Sequence, residues 1–405
     1  MEFTIKPRFS ALNSAIYFQT DKLNALLNTE YNDKFGFYQR EFGVYSYMSL
    51  TSQLTYRMFY PQGTPLLFQP HNSCSWTPTG TLSWGEDEIT PCRAKINEQR
   101  CYDENLEGTF KDFLAWTPGS TIVPTAAGVA ANNALLTTLM KNATLGARLT
   151  LSCGQLHDPD SITFEDGLST RIEDAFRKTS MTCKGWIQLC KERALETGLS
   201  HLDGGYIDAG DVSADGKSYT GGTTGDMVAM YDKILAAAPQ ELFDAIIEGG
   251  YGGFGSMFQP IFIVAPPEFR AIDAAWKAQK ESAMMNTPRI SKKPFTVSTP
   301  RGPRTLYTFF IDDTAVVPLS EVSYFDRYVT GTSHFAYLTV SGVLQLGANF
   351  ASLPVVNESD IAVMMQVSQD AEDYGTYKFL AHNLFATAIN DTNYIAGDYL
   401  YAEPA

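Results

Sequence analysis

The pattern of apolar and polar positions predicts helices in the first two thirds of the chain and strands in the last third. Apolar residues at helical spacing predict helices over residues 11–27, 131–149, 170–197, 226–238, 241–247 and 268–285. Alternating and β-branched runs predict strands over residues 259–264, 306–311, 335–340, 362–367 and 377–389. The chain is therefore predicted to be α+β, with one long helix over residues 170–197 that ends at Gly198.

Two segments near the N-terminus are rich in aromatic residues. Tyr and Phe crowd residues 31–47, where Tyr38, Phe42 and Tyr45 are candidate subunit contacts. Side chains at this density need a covering surface, which is either the chain's own core or a neighbouring subunit. Residues 61–90 are rich in Pro, Gly, Ser and Thr and contain Trp76 and Trp84, which predicts a β-hairpin excursion or a long ordered loop. Ordered loops of this length tend to be functional.

Composition narrows the class of protein. The 405 residues include 45 acidic and 30 basic residues, a formal net charge of -15, which argues against a protein that grips nucleic acid through its phosphates. Hydrophobic residues make up 44% of the chain, enough for a sizeable core, and the length predicts roughly two or three domains. No apolar run approaches the ~20 residues that span a bilayer, and the N-terminus lacks the order of a signal peptide. We expect a soluble, non-exported protein without a membrane partner.

Cysteine and histidine residues show no local metal or disulfide pattern. The six cysteines are widely spaced and include no Cys-x-x-Cys pair, so we expect small buried side chains with free thiols. The five histidines are also far apart and form no helical ligand pair. The sequence therefore predicts no metal and no cofactor.

Three short motifs carry a possible chemistry, and each also has a structural interpretation. Residues 250–255 match the dinucleotide fingerprint, but the predicted helix precedes and the predicted strand follows, which favours a flexible glycine loop. The run Asp211-x-Ser213-x-Asp215 begins like a calcium loop, but Gly222 stands where a bidentate Glu is required, which favours a solvated turn. Asp312 and Asp313 follow a strand and predict a turn.

No catalytic motif in the sequence is better supported than these structural interpretations. A nucleophile elbow and a phosphate-binding Gly-x-x-x-x-Gly-Lys loop are both absent from the sequence. The alternative enzyme hypothesis is a metal-dependent hydrolase that uses Asp208, Asp211, Asp215 or the Asp312 and Asp313 pair.

Charge is unevenly distributed along the second half of the chain. Residues 268–304 contain eight bases and three acids, a local charge of +5, whereas residues 305–405 contain two bases and twelve acids, a charge of -10. The basic segment, with a polar loop predicted over residues 286–304, is either a solvated surface or a contact with the acidic surface of an identical subunit. The candidates for that contact are Arg289, Lys292, Lys293, Arg301 and Arg304.

The order of these elements resembles the major capsid proteins of tailed bacteriophages, which have the HK97-like fold. The residues that carry the resemblance are the helical pattern 225–235, the segment 239–243 and the strand with its Pro-Pro turn, 261–269. The resemblance implies an N-terminal arm (1–60), an extension loop (61–101), a peripheral domain (102–248 and 354–405) whose spine helix is 170–197, and an axial domain (249–353). The sequence departs from the family in that no long charged coiled coil precedes the arm, so we expect no fused N-terminal scaffold.

The resemblance also implies a structural function. We expect a subunit that self-assembles into hexamers and pentamers of an icosahedral shell and encloses double-stranded DNA without sequence-specific contact. Its partners would be itself, the portal and other virion proteins, and its location would be the virion, assembled in the host cytoplasm. Because the sequence begins at Met1, we expect no removal of an N-terminal segment. A tail or decoration protein is a further alternative, which would form small oligomers or tubes instead of closed shells.

Overall fold

The structure is a computed structural model of the chain, and its described part contains two large β-sheets, a separate two-stranded sheet and flanking helices. The described residues are 42–49, 56–63, 82–101, 142, 145–158, 160–180, 183–222, 225–248, 260–281, 289–299, 302–349, 363–368 and 376–404. The predicted α+β class is confirmed.

The strands are, in chain order, β1 (Tyr45–Ser49), β2 (Tyr56–Gly63), β3 (Leu82–Ile89), β4 (Cys92–Cys101), β5 (Pro260–Val264), β6 (Ile290–Thr299), β7 (Gly302–Ile311), β8 (Thr314–Pro318), β9 (Thr332–Val340), β10 (Leu344–Asn349), β11 (Val363–Ser368), β12 (Thr376–Ile389) and β13 (Ile395–Ala402). The helices are α1 (Thr170–Ser180), α2 (Trp186–Thr197), α3 (Met227–Ala237), α4 (Gln240–Glu248), α5 (Pro266–Glu281) and α6 (Val322–Phe325). Residues 145–153 are also helical, and 3-10 turns occupy Ala209–Asp211 and Thr392–Tyr394.

The six-stranded sheet has the strand order β13-β9-β5-β8-β7-β6. Strands β5 and β8 are parallel, and the other neighbours are antiparallel. The apolar run of β5 is the strand predicted at 259–264, and all nine positions of β9 are buried. A strand that is buried on both faces needs packed elements on each side of the sheet.

Helices α3 and α5 cover one face of this sheet, and α2 covers the other. Phe262 of β5 lies opposite Leu338 of β9, so both side chains point to the same face, where Tyr231 of α3 packs edge-on against Phe262 at 5.4 Å between ring centroids. The adjacent residue Tyr337 points to the opposite face, where the buried Trp186 of α2 lies 5.3 Å from its ring. The core of the molecule is therefore a sheet between helices.

The predicted helix 226–238 is confirmed as α3, and its start has a physical cause. The Asp226 carboxylate accepts hydrogen bonds from the backbone N–H groups of Val228 and Ala229, at 3.0 and 2.9 Å. Such a cap satisfies amides that have no partner in the first turn of a helix.

The single helix predicted over residues 170–197 is wrong, because the structure has two helices there. Gly185, immediately before α2, has an extended backbone and packs so closely that a Cβ atom would overlap with the carbonyl oxygen of Ser152. Its N–H donates to the carbonyl of Gly154 at 2.7 Å. These tertiary contacts of Gly185, a residue type of low helix propensity, interrupt the helix that the apolar pattern predicts. The predicted end is confirmed, since Gly198 adopts the left-handed conformation with φ 65°.

The second large sheet is organised by the fourteen-residue strand β12. Strand β4 pairs with residues 376–385 along one edge, and β11 and β10 pair with the two halves of the other edge. Strand β1 extends the sheet beyond β10 in parallel orientation. Strands that are far apart in sequence, such as β4 and β10, therefore both pair with β12.

The expectation that all cysteines carry free thiols is wrong. Cys92 at the start of β4 and Cys183 form a disulfide, with 5.8 Å between their Cα atoms. Cys153 and Cys190 are buried free thiols, as expected. The pairing was missed because 91 residues separate the two positions, and only the fold brings them together.

The polar loop predicted over residues 286–304 is also wrong, because β6 and the start of β7 form a hairpin there. Lysines and a proline mask the strand pattern at 292–294, yet such residues are common on edge strands, where they disfavour pairing with other chains. Strands β1, β4, β8, β10 and β13 were not predicted. Strand β13 pairs with β9, which connects the predicted axial segment with the C-terminal segment, and the domain boundaries stay a prediction.

Some predictions fall outside the described residues. These are the helix 11–27, the glycine motif 250–255 and the first part of the helix 131–149. Within the described part of the chain, no helix is both long enough and apolar enough to cross a membrane.

The packing of Phe262 predicts a large loss of stability when its ring is removed. Phe262 is fully buried, so Phe262→Ala should lower the free energy of unfolding by about 3–5 kcal/mol through lost burial and a residual cavity. Phe243, which is 37% exposed on α4, is the matched control, and Phe243→Ala should cost about 1 kcal/mol or less. Denaturant unfolding of the isolated chain measures both, and equal losses would contradict this assignment of the core.

Candidate functional site

The hairpin formed by β2 and β3 lies outside both large sheets. Its eight antiparallel residue pairs run from Tyr56 opposite Ile89 to Gly63 opposite Leu82. At ~3.3 Å per residue the strands extend about 26 Å. At the base, Ile89 is buried with Leu384, Ala386 and Ala388 of β12. The hairpin is thus anchored at its base, and it corresponds to part of the excursion predicted for residues 61–90.

Strand β3 has an acidic half and an aromatic half. Glu86, Asp87 and Glu88 are consecutive, and Glu88 is exposed. The predicted contact residue Trp84 lies on the same strand, opposite Pro61 of β2. The other candidate, Trp76, lies between the two strands and outside the described residues. The hairpin therefore combines negative charge with an aromatic residue.

Phe42 and Tyr45 are not available as subunit contacts, which corrects their selection as candidates. Both are buried, with exposed fractions of 8% and 6%, and belong to the main hydrophobic core. The Phe42 ring packs edge-on against Phe310 at 6.0 Å between ring centroids. Of the two surfaces considered for these aromatic residues, they use the chain's own core, whereas Tyr38 lies outside the described residues.

Arg289 of the basic segment connects α3 with the turn between β7 and β8. Its guanidinium donates to both carboxylate oxygens of Asp232, at 2.7 and 2.6 Å, and its Nε donates to Asp312 at 3.0 Å. These hydrogen bonds from Asp232 and Asp312 raise the pKa of Arg289 above its ordinary value. The charge of Arg289 is therefore largely neutralised within its own chain.

The two predicted lysines of the basic segment also have partners within the chain. Lys293 lies 3.1 Å from Asp313, and Lys292 lies 3.6 Å from Asp273. The Lys292 amine also lies over the rings of Trp276 and Phe309, at 4.7 and 4.9 Å. Arg304 lies on β7 opposite Val297, whereas Arg301 is outside the described residues.

The β6–β7 hairpin extends beyond the rest of its sheet. Ten residue pairs join β6 to β7, but β8 pairs only with Phe310 and Ile311 of β7. Strand β6 is consequently an edge of the six-stranded sheet. A cavity of about 360 Å³ opens beside it, lined by Phe269, Arg270, Asp273, Lys292, Thr305, Tyr307 and Phe309. This second hairpin presents basic and aromatic residues at a free edge.

The aspartates of the alternative hydrolase hypothesis have local structural roles. The Asp208 carboxylate accepts from the N–H of Gly210 at 2.7 Å, and the buried Asp211 accepts from the N–H of Asp208 at 2.9 Å. Asp215 accepts from the Ser213 hydroxyl, and this hydrogen bond lowers its pKa. Among the described residues, no group of three or more His, Cys, Asp or Glu side chains is arranged to hold a metal.

The Asp312 and Asp313 pair forms the predicted turn. Ile311 of β7 lies opposite Thr314 of β8, so the two aspartates are the whole connection, with φ angles of 46° and 66°. Two consecutive positive φ angles are typical of the tight turns that join antiparallel strands. With Arg289 and Lys293 as their partners, these carboxylates hold the turn in place.

A buried His–Glu pair was not predicted from the sequence. His334 of β9 and Glu268 of α5 are both fully buried, with 2.6 Å between Nδ1 and Oε1. The His334 Nε2–H donates to the carbonyl of Gly216 at 2.9 Å. Burial opposes a charge on His334, but the hydrogen bond and charge of Glu268 raise its pKa. The sequence gives little signal, because His334 shares its strand with the polar residues Thr332, Ser333 and Thr339. The pair connects a loop, a strand and a helix.

Asp398 of β13 is a second buried acid that the sequence does not reveal. Its exposed fraction is 2%, and it accepts a hydrogen bond from the N–H of Ile207 at 2.7 Å. Burial, together with a hydrogen bond to Asp203, raises the pKa of Asp398 to about 7. In contrast, burial beside Lys191 lowers the pKa of His157 to about 4. Both groups make stability depend on pH.

Comparisons with known proteins find structural similarity alone. No protein-family model matches the sequence, and no curated protein matches it. A chain of the satellite phage P4 procapsid, which includes the size determination (Sid) protein, is 8% identical, with 94% of this chain and 98% of that chain covered and a TM-score of 0.44. The capsid of Ralstonia phage GP4 is 11% identical, with 90% and 89% covered and a TM-score of 0.41. The capsid of Myoviridae phage XM1 is 8% identical, with 90% and 92% covered and a TM-score of 0.40.

By their descriptions, these solved structures are a satellite phage procapsid and two phage capsids. Each likeness has low sequence identity and a TM-score below 0.5. A proposal for the function of this protein therefore has to be based on the contacts within its own chain.

The raised pKa of Asp398 predicts that acid stabilises the protein through this group. Its folded pKa of about 7 exceeds the ordinary 3.8, so its contribution is fully present below 3.8 and is lost as pH rises through 7. Between about pH 4 and pH 7, the free energy of unfolding should fall by up to about 1 kcal/mol per pH unit through Asp398. Asp398→Asn, whose amide oxygen can still accept from Ile207, should remove this slope. The measurement is denaturant unfolding at several pH values.

The difference between the Asp398→Asn variant and the wild type separates the pH dependence of stability due to Asp398 from that due to His157. His157 acts in the opposite direction, because its contribution is present above its ordinary pKa of 6.5 and is lost as pH falls through about 4. Asp313→Asn is the matched control, since the Asp313 side chain is 90% exposed. A slope that is unchanged by Asp398→Asn would contradict the assignment.

Proposed function

We propose that this protein is a structural subunit of an HK97-like phage capsid, which self-assembles into hexamers and pentamers of an icosahedral shell. The proposal is based on the β2–β3 hairpin, because its two strands pair with neither large sheet. An isolated two-stranded hairpin is marginally stable in water, so it needs a partner surface. A neighbouring copy of the same chain would provide that surface at every position of a closed shell.

The two hairpins also support self-assembly by their charges. The β2–β3 hairpin contains three consecutive acids, whereas the β6–β7 hairpin belongs to the segment with a charge of +5. Opposite charges on two projecting surfaces of one chain favour contact between copies and set its register. Because Arg289 and Lys293 pair with aspartates of their own chain, we direct the test of that contact at the predicted candidates Arg301 and Arg304.

The absence of an assembled catalytic set within the described residues favours a role that is not enzymatic. The aspartates that a hydrolase would use are committed to a 3-10 turn, a loop and a strand connection. The geometry of the described residues thus offers no support for the hydrolase alternative, and assembly behaviour distinguishes a capsid subunit from a tail or decoration protein.

The remaining partners follow from the capsid role. We infer that the shell encloses double-stranded DNA without sequence-specific contact, that it joins a portal and other virion proteins, and that it assembles in the host cytoplasm before it is found in the virion. The net charge of -15 supports enclosure without tight binding, because an acidic wall repels phosphates. A lumenal surface that proved strongly basic in assembled particles would contradict this inference. The predicted arm, extension loop, peripheral domain and axial domain are part of the same proposal.

Removal of the β2–β3 hairpin should abolish assembly but preserve the fold of the rest of the chain. A short Gly-Ser connection in place of residues 57–88 leaves both large sheets intact. Electron microscopy of the expressed wild-type chain should show closed shells, and the variant should remain as small species with a near-native circular dichroism spectrum. Closed shells from the variant, or small oligomers or tubes from the wild type, would contradict the proposal.

Reversal of charge at the end of the β6–β7 hairpin should impair assembly. The double variant Arg301→Glu and Arg304→Glu should slow particle formation in light scattering, because like charges would meet at the interface. Arg327→Glu is the matched control, since Arg327 is an exposed base outside the segment 268–304 and should leave the rate unchanged. Equal rates for the double variant and the wild type would assign the basic segment to a solvated surface.

A further inference from the structure

The Cys92–Cys183 disulfide lies where the β2–β3 hairpin joins the rest of the molecule. Cys92 is the first residue of β4 and follows β3 after two intervening residues, of which Pro91 is buried. It lies opposite Phe385 of β12. The disulfide therefore constrains the chain at the base of the hairpin.

Cys183, the other half of the disulfide, is buried and packs closely against the backbone of Gly154. A Cβ atom on Gly154 would overlap with the carbonyl oxygen of Cys183, so the backbones of these two residues are in direct contact. The Thr387 hydroxyl of β12 donates to the carbonyl of Lys184 at 2.7 Å. The bond thus connects the start of β4, at the base of the hairpin, to a segment that is in contact with the core.

We propose that the Cys92–Cys183 disulfide is a redox-dependent cross-link that forms after folding and fixes the direction of the β2–β3 hairpin. A role of this cross-link in particle assembly depends on the proposed capsid function, whereas the formation of the cross-link does not depend on it. The oxidant is a low-molecular-weight disulfide such as oxidised glutathione.

The reaction is two steps of thiol–disulfide exchange. The Cys92 thiolate, on the partly exposed residue, attacks a sulfur of oxidised glutathione and releases one glutathione thiolate. The Cys183 thiolate then attacks the Cys92 sulfur of the mixed disulfide and releases the second. Each cysteine loses one proton, and the two electrons pass to the two glutathione thiolates.

Folding must precede this reaction. The two cysteines are 91 positions apart, and they meet because β4 pairs with β12 and residue 184 is hydrogen-bonded to β12. Two further described cysteines, Cys153 and Cys190, do not compete. Cys153 and Cys190 are buried, and burial raises the pKa of each thiol, which disfavours the thiolate that exchange requires.

The test uses the full-length chain, purified with a reductant and then treated with oxidised glutathione. Peptide mapping should find Cys92 linked to Cys183, and oxidation should raise the melting temperature by roughly 5–10 °C, as expected for a closed loop of this size. Hydrogen exchange at the base of the hairpin should become slower. A native chain without the linked peptide, or a linked chain with unchanged exchange and melting temperature, would overturn the proposal.

Two variants separate the cross-link from general thiol effects. Cys92→Ser should abolish the response of the melting temperature to oxidation, whereas Cys190→Ala, which removes a buried free thiol, should retain the response. If Cys183→Ser fails to fold, reversible reduction of the wild type still tests the same bond. A chain that forms no shells but shows the oxidation-dependent shift would overturn the capsid function alone.

Discussion

All nine residues of β9 are buried, so both faces of the six-stranded sheet must be covered by other parts of the same chain. Successive side chains of a strand point to opposite faces, which directs Tyr337 to Trp186 of α2 and His334 to Glu268 of α5. The C-terminal strand β13 completes the sheet beside β9. The positions of the helices and of the chain end thus follow from the burial of one strand.

The β2–β3 and β6–β7 hairpins differ from this core in their strand pairing, because β2 and β3 pair with neither large sheet and β8 pairs only with the last two residues of β7. The β2–β3 hairpin is attached at its base through Ile89 and the disulfide at Cys92, and the β6–β7 hairpin continues past the end of β8. A well-packed core with extended peripheral hairpins suits a protein whose remaining surface is completed by copies of itself. The polar groups of the core support packing, whereas the β2–β3 hairpin contains three consecutive acids and the β6–β7 hairpin contains basic residues.

The buried polar groups illustrate what such a core tolerates. Glu268 Oε1 is hydrogen-bonded to His334, and the Asp398 and Asp211 carboxylates accept from backbone N–H groups, as buried polar groups require, although Glu268 Oε2 has no hydrogen-bond partner among the described residues. They hold loops against the sheet, and none of them lies in a group of potential metal ligands within the described part of the chain. Their chemistry is consistent with positioning and not with turnover.

The sequence by itself determined the local elements: the apolar run of β5, the cap and helical face of α3, the turn at Asp312 and the stop at Gly198 all depend on residues close together in the chain. It also indicated a β-hairpin excursion or a long ordered loop over residues 61–90 and a basic segment over residues 268–304. The tertiary structure alone decided that residues 170–197 form two helices, that residues 290–299 are a strand, that Phe42 and Tyr45 enter the core, and that Cys92 meets Cys183. The helix break, the burial of Phe42 and Tyr45 and the disulfide depend on partners that are distant in sequence, and β6 depends on its pairing with β7, whereas periodicity records only the nearest neighbours of a residue.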